Sequence, residues 1–142
     1  MLKFYLQCPL FATIHIYIVC YHHFFSDEPD PPGQPQIVDW GPDFGEMTFT
    51  KPPSDGGAEI TQYVIEMKEK NMGQWVHGKT LSLKEVQDLG NSVKVKQDGL
   101  IEGCEYQFRI RAVNKGGPSK PSPPSVPMIA KKRFRKYIKT LL

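Results

Sequence analysis

The sequence predicts an all-β fold, a seven-stranded sandwich of two antiparallel sheets, from three observations. Tyr106, Phe108, Ile110 and Ala112 alternate with Gln107, Arg109, Arg111 and Val113, a period of two that turns one row of side chains inward and the other outward. Shorter runs with the same period recur along the chain, separated by breaks such as Pro52–Gly57 and Asp98-Gly99. No stretch carries a strong helical period, and 13 Pro and 12 Gly among 142 residues supply the turns that many short strands need.

The first strand is expected at Gln36–Trp40. Met47 and Phe49, alternating with Thr48 and Thr50, form the second, which Pro52-Pro53-Ser54-Asp55-Gly56-Gly57 ends. In the third, Tyr63, Ile65 and Met67 point one way and Gln62, Val64, Glu66 and Lys68 the other, the pattern of a half-buried antiparallel strand. Trp75 and Val76 make a shorter strand after Asn71-Met72-Gly73, and Val93 and Val95 alternate with Lys94 and Lys96 in the fifth. Tyr106–Val113 is the sixth and Ser122–Met128 the seventh, while Thr80–Asn91, with Leu81, Leu83, Val86 and Leu89, is expected to be an extended loop. The expected core is Phe49, Tyr63, Ile65, Trp75, Leu100, Tyr106, Phe108 and Ile110.

Composition divides the chain into an apolar segment 1–28, a folded unit 29–130 and a basic tail 131–142. The net charge of +3 is misleading as a guide to partners, because all fifteen Asp and Glu lie in Asp27–Glu105, where the unit through Ala130 holds eleven Lys and Arg. The body is therefore acidic, and its basicity sits in Lys3 and the tail, which gives no basic face for nucleic acid. Residues 4–25 would be a membrane anchor or signal, although Gln7, Pro9 and three histidines interrupt them and no small-residue cleavage site follows. Phe24-Phe25-Ser26 and Arg135-Lys136-Tyr137 can also be back-translated as splice acceptor and donor sequences, so residues 1–26 and 135–142 are expected to be translated intron around one exon.

The run Leu100-x-x-Gly103-x-x-Tyr106-x-Phe108-Arg109-Ile110-x-Ala112-x-Asn114-x-x-Gly117-x-Ser119-x-Pro121-Ser122 resembles the closing half of a fibronectin type III domain. Pro31-Pro32-Gly33-x-Pro35 resembles that family's Pro-rich start, and Pro52–Gly57 followed by Ile60-Thr61-x-Tyr63-x-Ile65-Glu66 its passage from second to third strand. The resemblance covers roughly residues 29–130 and implies an immunoglobulin-like sandwich in which Tyr106 is the tyrosine of the corner. Phe49 stands where the family's core tryptophan is expected. Asp30-Pro31-Pro32-Gly33, Ser54–Ala58 and Lys115–Ser122 look most like modules of the twitchin, projectin and titin type. That likeness implies neighbouring immunoglobulin and fibronectin domains and the myosin thick filament as partners, in the cytoplasm of the sarcomere.

No residue pattern points to catalysis, a cofactor or a metal. Cys8, Cys20, His22 and His23 lack a paired metal-ligand spacing, His77 has no nucleophile or acid beside it in the pattern, and Gly56-Gly57 and Gly116-Gly117 are turn glycines outside any phosphate-binding motif. Cys104 stands alone in the unit, which excludes a disulfide between its sheets. Arg109, Arg111 and Lys115 are the candidate partner-facing residues, weighed against an ordinary solvated sheet face. The function expected is a non-catalytic binding and spacer module in a tandem array; the alternative is the ectodomain of a membrane-anchored or secreted adhesion or receptor protein.

Overall fold

A computed structural model describes residues 26–133, and the period-two runs become two packed antiparallel sheets. One sheet holds β1 (Gln36–Trp40), β2 (Phe44–Thr50), β6 (Ser92–Asp98) and the two-residue β5 (Gln87–Asp88), in the order β1-β2-β6-β5. The other is ordered β4 (Val76–Ser82), β3 (Gln62–Glu69), β7 (Glu105–Asn114) and β8 (Gly117–Pro118), with β9 (Met128–Ile129) also on β7. Burial alternates residue by residue along β7, so Tyr106, Phe108, Ile110 and Ala112 enter the space between the sheets and meet Met47, Phe49, Val93 and Val95 from the facing sheet. Phe49 and Tyr63 meet edge to face with ring centroids 5.1 Å apart, and Leu100, Met128 and Ala130 complete the core. At the corner Ile101 N–H donates to Tyr106 Oη at 3.2 Å, which gives the buried phenol its partner.

Three expectations are corrected. Trp75 precedes β4 and is half-buried on the outer face, because the register of β4 against β3 shifts between Lys79 and His77 and puts the residues before it out of step with inward-facing Leu81. Thr80–Asn91 is not a single loop: β4 runs on to Ser82, a turn closes with Glu85 N–H on Ser82 O, and β5 pairs with β6. Leu81 is core and Val86 packs against it, while Leu83 and Leu89 are exposed.

Ser122–Met128 does not form a ladder strand either. Residues 119, 122, 125 and 128 are buried and those between are not, the three-residue period of a polyproline II helix. Pro121, Pro123, Pro124 and Pro127 cannot donate, so Ser119, Ser122 and Ser125 make the rungs. Their N–H groups donate to Ala112, Ile110 and Phe108 O at 2.7, 2.9 and 2.7 Å. Their Oγ atoms accept from the N–H groups of the same three residues, each at 3.0 Å. Each serine thus supplies a donor and an acceptor where a strand residue would use backbone alone. Only Met128 of the expected last strand pairs as β9, and with β5 and β8 the described residues hold nine strands where seven were expected.

The first strap of chain has the same period. Pro29, Pro32 and Pro35 are buried, while Asp30 and Gly33 donate to Ser54 and Thr50 O, each at 3.0 Å. The expected unit starts at residue 29, yet Asp27 already donates to Gly56 O at 2.9 Å.

Candidate partner-binding surfaces

The antiparallel register places Glu66 on β3 directly opposite Arg109 on β7, and Val64 opposite Arg111. Because alternate residues share a face, both arginines project outward on the side where Glu66 projects. Arg109 Nε donates to Glu66 Oε2, and Arg111 Nε to Glu66 Oε1 at 2.9 Å, so one carboxylate spans two guanidinium groups. Arg111 Nη1 reaches Ser119 O at 3.0 Å. Arg109 Cζ lies 4.4 Å from the centre of the Trp75 ring, and Lys68 Nζ lies 5.1 Å from it. The result is a row across the sheet of Lys68, Trp75, Arg109, Glu66 and Arg111, three cations to one carboxylate, each arginine held in place by two contacts. Such a row offers oriented N–H groups to an acidic partner and spends little further entropy in doing so.

Lys115 is not part of that row. It is exposed at the tip of the β7–β8 turn, at one pole of the sandwich, beside Asn114 and Gly116-Gly117. At the opposite pole the chain leaves through Ala130, whose N–H donates to Cys104 O at 3.0 Å and whose carbonyl accepts from Gly103 N–H at 2.7 Å. There Arg133 pairs with Asp39 at 2.6 Å and stacks on Trp40 at 4.2 Å, closing a shallow groove whose walls include Glu102, Lys131 and Lys132. Neither the Trp75 stack nor that of Arg133 on Trp40 is legible in the sequence, since each joins residues far apart in the chain. The serines spaced by three were a readable signal.

His77 is exposed and shares a hydrogen bond with Thr80 Oγ1 at 2.9 Å. Among the described residues no three His, Cys, Asp or Glu side chains gather as a metal site, and no helix is long and apolar enough to cross a membrane. Cys104 is a free, half-buried thiol. Cys8, Cys20, His22, His23, the anchor or signal in residues 4–25 and the segment 135–142 lie outside the described residues. The buried hydroxyls Tyr63 and Tyr106 have pKa values raised above 10.0, chiefly by desolvation, with Asp88 adding to it at Tyr63. Both belong to the core.

The family model "Fibronectin type III domain" matches residues 30–128. Human slow-type myosin-binding protein C is 39% identical over 103 residues, which are 72% of this chain and 8% of that protein. The chain therefore spans under a tenth of the curated relative it matches. Among solved structures, titin domains A168–A170 superpose with a TM-score of 0.65 at 35% identity, covering 75% of this chain and 33% of that one. The twitchin kinase region of C. elegans gives a TM-score of 0.65 at 31% identity, over 78% of this chain and 18% of that one.

Proposed function

The chain belongs to the fibronectin type III family, and from that premise we propose that it is a non-catalytic protein-binding and spacer module of a twitchin- or titin-like sarcomeric protein. The observation that carries the reading is where the chain enters and leaves the sandwich. Asp27 is held next to Asn114, the last residue of β7, while Ala130 is held at Cys104, just before its first. The chain thus arrives at one pole and leaves at the other, separated by the ten residues of β7, roughly 30 Å. A module of that shape adds its length to an array instead of folding the array back.

We assign residues 29–130 as the body of the working unit, with the bonded residue Asp27 at its entrance and 131–142 as a basic tail. The Arg109–Glu66–Arg111 row is the face offered to a protein partner, and the name of the human relative directs the choice of partner to the thick filament. Lys115, at the pole, serves the neighbouring domain instead. The test is co-sedimentation of the chain with reconstituted myosin filaments at low ionic strength. The chain is expected to pellet with myosin, less so as salt is raised, and the Arg109→Ala/Arg111→Ala pair is expected to weaken pelleting several-fold. A chain that stays in the supernatant under every condition would remove the thick filament as partner.

A further inference from the structure

We propose that residues Ser26–Glu28 are a seated strap and not a free linker, so that the pole formed by the loops 54–58 and 114–117 is a stiff joint fixing the direction of whatever precedes the module. This deepens the tandem-array reading and draws its use from it, but the geometry stands on its own. Three segments distant in sequence meet at one side chain, Asn114, which is only 4% exposed. Its Nδ2 donates to Asp27 O at 2.7 Å and to Asp55 O at 2.6 Å, and its Oδ1 accepts from Gly116 N–H at 2.7 Å and Gly117 N–H at 3.1 Å. Both ends of the amide are satisfied, and one of its bonds goes to the strap itself. Asp27 N–H completes the seat on Gly56 O at 2.9 Å. From there the period-three strap continues unbroken through Asp30 and Gly33, with its prolines restricting the backbone that an ordinary linker would leave free.

The glycines of the two loops record the strap's position. A Cβ on Gly116 would lie 2.4 Å from Ser26 O and 2.7 Å from Asp27 O, and one on Gly56 would lie 2.3 Å from Asp27 O. Gly56 also has φ of +73°, so conformation alone would demand glycine there. Gly116 has no such backbone requirement, and the space it leaves is occupied by the strap alone among its close contacts. Gly57 is the converse, with φ of +82° and nothing within 4 Å of a Cβ. The pair separates strap seating from loop strain.

Amide hydrogen exchange and 15N relaxation on the whole chain test the joint. The Asp27 amide is expected to exchange at least ~10-fold more slowly than an unstructured amide, with an order parameter near the ~0.85 of rigid backbone. Gly116→Ala is expected to abolish that protection while the amides of Ile65 and Ile110 keep theirs. Gly57→Ala is expected to lower Tm and leave Asp27 protected. Random-coil exchange at Asp27 in the unsubstituted chain would overturn the proposal, and so would full protection of Asp27 in a folded Gly116→Ala chain. Should Gly116→Ala fail to fold, the unsubstituted measurement still decides. Neither readout involves a filament, so failure of myosin binding and failure of the joint are separate results.

Discussion

Tyr106 shows how much a single position carries at the residue scale. Its ring lies against Phe108, with centroids 6.3 Å apart, and its hydroxyl accepts the Ile101 N–H that would otherwise go unpaired in the corner. Tyr106→Phe keeps the ring and removes that acceptor, for an expected loss of about 1 kcal/mol in urea unfolding. The phenol also links stability to pH. Its folded pKa is raised by desolvation, so the stabilising effect of the neutral hydroxyl is complete below the unfolded value of 10.0 and is lost as pH rises beyond it. Tyr63 adds in the same direction. Stability should therefore fall above about pH 10, and less steeply in Tyr106→Phe; identical alkaline slopes in the two chains would refute the linkage. Glu66 is the other decisive residue, because among the described residues its carboxylate alone pairs with both Arg109 and Arg111. Glu66→Gln leaves two half-buried guanidinium groups side by side, and thermal melts should show a loss of roughly 1–2 kcal/mol that added salt partly restores by screening.

At the scale of elements, the legible parts were those whose side chains obey a period. β2, β3, β6 and β7 could be placed from their alternation because one face of each is buried and the other wet, and the sheets keep that bias. The eight residues expected in the core are buried apart from Trp75, whose ring instead serves as the floor under two cations. Arg109 and Arg111 were readable as outward residues, but their shared carboxylate depended on register between strands more than forty residues apart. The last edge departs from the expected strand because its burial repeats every three residues among prolines, which cannot donate to a ladder. That edge makes its own prediction. Ser122→Ala would leave Ile110 N–H buried without its Oγ acceptor, costing about 1–3 kcal/mol in chemical unfolding, whereas Lys120→Ala, at an exposed position of the same segment, should stay within ~0.5 kcal/mol of the parent. Equal effects at the two sites would mean that the serine rungs do not hold the edge.

At the scale of the whole molecule the two period-three segments have a common consequence. One leads the chain in along the Thr50–Gly56 edge and the other leads it out along β7, so both connectors lie against the body of the sandwich. Length per module is then set by the fold and not by linker entropy, which for a flexible connector would let successive modules approach one another freely. Three copies of residues 26–133 joined head to tail should thus scatter X-rays as a rod, its longest dimension growing by at least about 30 Å for each copy, the span of β7. Introducing Gly116→Ala into every copy should shorten the average particle without unfolding any module, because only the seat of Ser26 and Asp27 is disturbed. A compact parent array would contradict spacing by the poles. An array equally extended with and without the substitution would place the stiffness elsewhere, in direct contact between the Lys115 pole of one module and the Trp40–Arg133 pole of the one before it.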